Sequence, residues 1–204
     1  MTKSRENVSE SDGWKIVSSE THFQNDHLAV VTEEIQSPAC SKPRKWTVVR
    51  RKKAVVIAPM TEEGKIILIR QERIPVRAAI WEMPAGQIDE AGDLEPAAIE
   101  AVALRELGEE TGFELAEDGE LVALGDYFTS PGMTDERGYF FLARPVQSSA
   151  QGHTPDESES ILDCRAFSPD ELRRMIDKNE IRDANTLGCC ARLVARGLLS
   201  LSPV

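Results

Sequence analysis

The sequence predicts an α/β fold on three observations. Two nearly continuous apolar runs, residues 54–58 and 66–69, flank a polar turn, which is typical of two strands joined by a tight connection. Residues 96–111 carry a helix pattern that ends at a glycine. Short β-branched and aromatic runs before residue 52 indicate a small antiparallel sheet. Strands and helices are therefore expected in one chain of 204 residues.

The N-terminal quarter is predicted to hold a tail followed by this small sheet. Residues 1–12 are polar and charged, which predicts a disordered tail. Polar turns and the prolines Pro38 and Pro43 separate the β-branched runs. The predicted strands are residues 14–17, 28–32 and 46–49. We assign the small sheet to residues 13–52 and the main domain to residues 53–204.

The two apolar runs and the helix that follows them form the predicted core of the main domain. Strands that are apolar along their whole length are expected where both faces of a sheet are covered. Pro96 suits the first position of the helix, and Gly112 stands where the helix is expected to stop. The pattern therefore predicts a sheet with helices packed on it.

The C-terminal half continues with strands and ends with helices. Residues 121–128 and 139–143 are predicted strands, and the turn between them contains Pro131 and Gly132. Residues 147–160 form a polar loop that is longer than a hairpin needs.

Two helices are predicted after that loop. Ser168 and Glu171 form a capping box, which starts a helix that runs to about Lys178. Asp183 is the expected N-cap of a last helix, which ends near Gly197. Its predicted inner face comprises Leu187, Cys190, Ala191, Val194 and Leu198.

Composition excludes several classes of partner and location. A net charge of -11 at pH 7 argues against nucleic acid as the main partner, because phosphate contacts need clustered Lys and Arg. The N-terminus lacks the apolar core of a signal peptide, and no apolar run approaches membrane-spanning length. The four cysteines form no ligand pattern, and the adjacent Cys189 and Cys190 are interpreted as buried apolar residues. We expect a cytoplasmic protein with no membrane partner.

An acidic cluster in the helix is the first chemical feature. Glu106, Glu109 and Glu110 are spaced i, i+3, i+4, which puts three carboxylates on adjoining parts of one face. Like charges so placed weaken a helix. A hard cation such as Mg²⁺ or Mn²⁺, which takes oxygen ligands, would offset that repulsion. A solvated acidic face is the alternative.

The residues around this cluster resemble a known family. Residues 105–113, RELGEETGF, are similar to the R-E-U-x-E-E-x-G-U half of the Nudix box, where U is a bulky apolar residue. Residues 81–86, WEMPAG, are similar to the segment that precedes this box in the ADP-ribose pyrophosphatase branch. The resemblance implies a Nudix fold, which is a mixed sheet between helices. It also implies that the N-terminal sheet crosses to a partner subunit, so we expect a homodimer.

The sequence departs from the family pattern between the two motifs. Gly86 and Arg105 lie nineteen positions apart, about five more than the pattern has. Ala97 consequently stands where the pattern has its first Glu. Glu90, Asp93 and Glu95 remain as alternatives for that missing carboxylate.

The resemblance implies roles for the residues in and after the box. Arg105 would orient the carboxylates, and Glu157 in the polar loop would act as general base. Glu157 and Glu159 form an E-x-E pair at the point where the family's enzymes carry one, with a solvated acidic loop as the alternative. The implied metal ligands are the Ala85 carbonyl and the side chains of Glu106, Glu109, Glu110 and Glu159.

Substrate contacts follow from the same resemblance. Trp14 and Trp46 are candidates for stacking on adenine, with filling of the seam between sheet and core as the alternative. Arg51 and Arg73 are placed near the diphosphate or ribose, although a surface cation is the default for any arginine. Glu82 is a candidate for holding the nucleoside side of the substrate.

The implied reaction is Mg²⁺- or Mn²⁺-dependent hydrolysis of a nucleoside diphosphate sugar. ADP-ribose, giving AMP and ribose 5-phosphate, is the first candidate. One alternative is the same chemistry on GDP-mannose, UDP-glucose or a damaged nucleotide. The other is a Nudix-like domain that binds a nucleotide without cleaving it, which the lengthened box leaves open.

Overall fold

A computed structural model describes residues 13–89, 94–150, 152–153 and 160–201, with Ser41 described through its backbone only. The predicted tail, residues 1–12, lies outside the described residues. Within the described ranges the chain forms ten strands and three helices. It divides into two compact units. One contains the residues up to Arg51 with Ser130–Glu136, and the other contains Lys52–Thr129 with Arg137 onward.

The first unit contains the predicted antiparallel sheet. Strands β1 (Lys15–Gln24), β2 (Leu28–Ser37) and β3 (Cys40–Arg51) pair in the order β1-β2-β3. The strands are longer than the β-branched runs that predicted them. Pro43 lies inside β3, so its prediction as a separator between strands was wrong. The sheet tolerates this proline because β3 is an edge strand and its register with β2 shifts beside Pro43.

The second unit is built on two sheets. Its strands are β4 (Ala54–Pro59), β5 (Ile66–Arg73), β6 (Ala78–Glu82), β7 (Ala85–Gln87), β8 (Phe113–Phe128), β9 (Arg137–Ser148) and β10 (Ile161–Phe167). The first sheet, in the order β7-β4-β9-β8, is mixed, because β4 runs parallel to β9 while the other pairs are antiparallel. The second sheet, β10-β5-β6, is antiparallel.

Helices cover both faces of this sheet structure, as the apolar strands predicted. Val55 and Ile57 of β4 pack in one buried cluster with Leu107 of helix α1 (Pro96–Thr111). The alternate residue Val56 packs in the other cluster, with residues of α2 (Pro169–Asp177) and α3 (Ala184–Ala195). Because successive strand side chains point to opposite faces, both faces of β4 are buried. The mixed sheet between helices is confirmed.

The predicted limits of the helices are confirmed by local geometry. Pro96 occupies the first turn of α1, and Gly112 ends it in the left-handed conformation with φ 71°. Ser168 and Glu171 make the reciprocal hydrogen bonds of a capping box at the start of α2. Asp183 caps α3 by accepting a hydrogen bond from the Thr186 amide.

The predicted inner face of α3 was wrong at two positions. Ala191 and Val194 are exposed, whereas Thr186, Cys189, Cys190 and Leu193 are buried. The buried stripe begins at a threonine, so an apolar pattern alone does not locate it. Cys189 and Cys190 are buried as interpreted, and burial raises the pKa of both thiols.

Several strands were missed or shortened in the sequence analysis. Strands β6, β7 and β10 were not predicted, and β8 begins at Phe113 rather than at residue 121. Strands β8 and β9 pair from Phe128 with Arg137 at one end to Phe113 with Ser148 at the other. The register is irregular between Leu115 and Glu120, where β8 carries a charged segment. None of the described helices is both long and apolar enough to cross a membrane.

Candidate functional site

The C-terminal half of the acidic helix α1 contacts the short strand β7. The Ala85 amide donates a hydrogen bond of 2.7 Å to Oε2 of Glu110. Main-chain contacts fix β7 on its other side, because Val56 of β4 pairs with Ala85 and the Ile57 amide donates to the Pro84 carbonyl. Glu110 is only 1% exposed. The carboxylate of Glu110 is therefore held at the junction of β4, β7 and α1.

Gly86 allows Glu106 to approach the strand. A Cβ atom built on Gly86 would lie 1.9 to 2.4 Å from side-chain atoms of Glu106, far inside van der Waals contact. Glu106 is 5% exposed. The absence of a side chain at residue 86 thus creates the space that this carboxylate occupies.

Arg105 pairs with two of the three carboxylates. Its Nη2 atom lies 2.5 Å from Oε1 of Glu106, and its Nη1 atom contacts Oε2 of Glu109. Glu109 is the more exposed member of the trio. The interpretation of a solvated acidic face does not describe Glu106 and Glu110, because buried carboxylates need a compensating charge or hydrogen bonds.

The donor set fits a hard divalent cation in its chemistry. Carboxylate and carbonyl oxygens are the ligands that such ions take. Among the residues that the structure describes, no three Asp, Glu, His or Cys side chains are positioned to hold an ion together. Arg105 draws Glu106 and Glu109 to itself, and the Ala85 amide engages Glu110.

Several of the predicted site residues lie outside the described ranges. Glu157 and Glu159 lie outside the described residues, as do Glu90 and Asp93. Glu95, the remaining alternative for the missing first carboxylate, is the N-cap residue of α1 and makes no side-chain capping hydrogen bond.

Arg73, the last residue of β5, forms an ion pair with Glu82, the last residue of β6. Glu82 is buried, and its Oε1 atom lies 2.8 Å from Nη2 of Arg73. Burial raises the pKa of Glu82 to about 7, with Arg73 acting against this shift and Asp183 adding to it. Arg73 keeps further N–H groups that could bind a second anion, because a guanidinium carries five donors.

The raised pKa of Glu82 predicts a pH-dependent stability. Between about pH 4.5 and 7 the folded protein binds a proton at Glu82 that the unfolded chain has lost. The stabilisation that this bound proton gives the folded protein is full below that window and is lost as the pH rises through it, by about 3 kcal/mol. Denaturant unfolding at pH 5 and 8 should show this loss in the wild type but not in Glu82→Gln. Equal losses in both proteins would contradict the assignment.

The three residues of the first unit that were predicted to contact substrate are exposed or paired within that unit. Trp14 is 54% and Trp46 56% exposed. The indole of Trp46 donates to the Gly132 carbonyl at 3.2 Å. Arg51 lies 3.1 Å from Glu136. Both tryptophans therefore retain an accessible face.

Sequence reasoning missed two long-range contacts of residues 83–86. The close approach of Gly86 to Glu106 joins residues twenty positions apart, and only the glycine in the WEMPAG motif pointed to it. Thr186 is fully buried and hydrogen-bonds Met83, 103 positions earlier in the chain. No local signal marks a threonine in that role.

Comparisons with known proteins identify the family of the chain. The NUDIX domain matches residues 50–187. An ADP-ribose pyrophosphatase of Bacillus subtilis (strain 168) is 33% identical over 172 residues, which cover 84% of this chain and 88% of that protein. A GDP-mannose pyrophosphatase of Enterobacter sp. (strain 638) is 31% identical over 154 residues, or 72% of this chain and 75% of that protein.

A solved structure shares the fold. The crystal structure of an ADP compounds hydrolase matches with a TM-score of 0.69 and 20% identity, over 91% of this chain and 97% of that one. At this identity the likeness concerns the fold alone. With the domain match and the relatives above, the chain belongs to the Nudix hydrolase family.

Proposed function

We propose that this Nudix hydrolase cleaves the diphosphate of a nucleoside diphosphate sugar, and that ADP-ribose is its substrate, giving AMP and ribose 5-phosphate. The observation that carries the proposal is the junction of β7 and α1. Two buried carboxylates, Glu106 and Glu110, lie there beside the main chain of Ala85 and Gly86. The identity to an ADP-ribose pyrophosphatase over most of both chains favours this substrate.

Hydrolases of this family generally require a divalent metal ion, and we propose Mg²⁺, with Mn²⁺ as the substitute. When bound, the ion would polarise a phosphoryl oxygen and offset the charge of the diphosphate. Its proposed ligands are the Ala85 carbonyl, Glu106, Glu109, Glu110 and Glu159. Arg105 contacts Glu106 and Glu109, so it is suited to orient them.

The remaining roles are assigned to groups that bind substrate or move a proton. Glu157 would take the proton of the attacking water. Arg73 and Arg51 would bind diphosphate or ribose oxygens, since a guanidinium can engage two such oxygens at once. Glu82 would hold the nucleoside side.

We also propose the assembly and location of the protein. Residues 13–52 would bind adenine through Trp14 and Trp46 and form the contact of a cytoplasmic homodimer. The accessible faces of both tryptophans support a role in binding. A sedimentation mass equal to one chain would contradict the dimer.

Two rivals remain for this site. Hydrolysis of GDP-mannose is favoured by the identity to a GDP-mannose pyrophosphatase, which covers less of this chain. A domain that binds nucleotide without cleavage is less consistent with the geometry. Burial of two carboxylates is costly, and nucleotide binding alone gives no physical reason to bear that cost.

A substrate panel tests the proposal. kcat/KM is measured with Mg²⁺ for ADP-ribose, GDP-mannose, UDP-glucose and a nucleoside triphosphate. We expect ADP-ribose to have the highest value. A higher value for GDP-mannose would transfer the assignment to that sugar nucleotide. Binding of ADP-ribose with no cleavage of any compound would favour the non-catalytic domain.

A further inference from the structure

The first turn of α3 holds the main chain between β6 and β7. The Met83 amide donates a hydrogen bond of 2.9 Å to Oγ1 of Thr186. The same hydroxyl donates to Oδ2 of Asp183 at 2.7 Å, and Asp183 also caps the helix through the Thr186 amide. Thr186 is 0% exposed. The buried hydroxyl therefore acts as acceptor and donor at once, away from bulk solvent.

This bond belongs to a series that fixes four consecutive residues. The Glu82 carboxylate pairs with Arg73 of β5, and the Pro84 carbonyl accepts from the Ile57 amide of β4. The Ala85 amide donates to Glu110 of α1. Thr186 of α3 holds the remaining residue, Met83, by accepting the hydrogen bond from its amide. Each of the four residues is thus held by a different element of the second unit.

We propose that Thr186 is a positioning residue for the hydrolytic site, acting through Met83 on the main chain of Pro84 and Ala85. The inference rests on the proposed function, because it assumes that Ala85 and Glu110 belong to the reacting site. Without the hydroxyl, the buried Met83 amide loses its hydrogen-bond acceptor. The main chain of residues 82–85 then shifts so that this amide can reach another acceptor. Ala85 and Glu110 then shift together, because a hydrogen bond joins them.

The side chain allows a matched pair of variants. Thr186→Val keeps the shape and removes the hydroxyl, whereas Thr186→Ser keeps the hydroxyl and removes a methyl group. Cys189→Ala is the control for packing, because Cys189 lies on the same buried face of α3 and in the same buried cluster as Met83, yet makes no hydrogen bond to residues 82–85 among the hydrogen bonds described.

The experiment measures kcat and KM for ADP-ribose with Mg²⁺, together with Tm. For Thr186→Val we expect kcat/KM to fall about 10- to 100-fold, the range typical of lost supporting hydrogen bonds around a site. Thr186→Ser should restore the value to within about threefold. Cys189→Ala should lower Tm without lowering kcat/KM.

Hydrogen exchange gives a second readout that does not require turnover. Peptides that contain Met83 and Ala85 should exchange faster in Thr186→Val than in the wild type and Thr186→Ser. Unchanged exchange and unchanged kcat/KM in Thr186→Val would overturn the proposal, as would a loss of rate in Cys189→Ala equal to that in Thr186→Val. If the wild type cleaves no substrate but the exchange differs as expected, the proposed function fails while the positioning contact stands.

Discussion

Replacement of Glu110 by Gln is expected to lower the rate of diphosphate hydrolysis by about 1000-fold, which corresponds to about 4 kcal/mol of lost transition-state stabilisation. The amide oxygen of Gln can still accept the hydrogen bond from Ala85, so the junction of β7 and α1 should keep its shape. The change removes one of the anionic oxygens proposed to hold the divalent ion. Because Glu110 is buried, there is little room for a water molecule to take the place of the lost carboxylate oxygen.

The control for this prediction is the same substitution on an exposed part of the same helix. Glu100 of α1 is exposed, and Glu100→Gln should leave the rate unchanged. Calorimetric titration with Mn²⁺ should show weaker binding to Glu110→Gln than to Glu100→Gln. A Glu110→Gln enzyme with the wild-type rate would remove this carboxylate from the proposed site.

Replacement of Gly86 by Ala is the second change with a large expected effect. The new methyl group would overlap the carboxylate of Glu106, whose nearest atom lies 1.9 Å from the position of the added carbon. Either Glu106 or the strand must move. We expect a loss of stability of about 1–3 kcal/mol from overpacking. Displacement of the carboxylate should lower the rate about 100-fold.

Gly108 provides the matched control. It lies in the same helix as Glu106, and among the described residues a Cβ atom added there would meet only the Phe113 carbonyl oxygen, at 4.0 Å. Gly108→Ala should therefore stabilise the protein by about 0.5–1 kcal/mol, because alanine favours the helix. Its rate should match the wild type. Equal rates in Gly86→Ala and Gly108→Ala would show that the approach of Gly86 to Glu106 is irrelevant to the reaction.

The parts of this fold that depend on local chemistry could be predicted from the sequence. Pro96 and Gly112 limit α1 because their backbone preferences act within one turn. Ser168 starts α2 for the same reason, since its capping partner is three residues away. The apolar strand β4 predicted a sheet covered on both faces because each of its side chains must be buried on one face or the other.

The parts that depend on distant partners could not be predicted. The short strand β7 has little pattern of its own and exists because β4 pairs with it. Thr186 resembles any polar residue in the first turn of a helix until its contact with Met83 is known. A charged helix face is expected to be exposed to solvent, whereas Glu106 and Glu110 are buried. Their environment comes from β7 rather than from α1 itself.

The most direct test of the account is the formation of AMP from ADP-ribose by the wild-type protein, measured with Mg²⁺ and again after chelation with EDTA. We expect AMP and ribose 5-phosphate in equal amounts with the metal ion, and neither product after chelation. Undiminished AMP formation in EDTA, or intact ADP-ribose in the presence of Mg²⁺ and Mn²⁺, would contradict the claim that the carboxylates of α1 form a metal-dependent hydrolytic site.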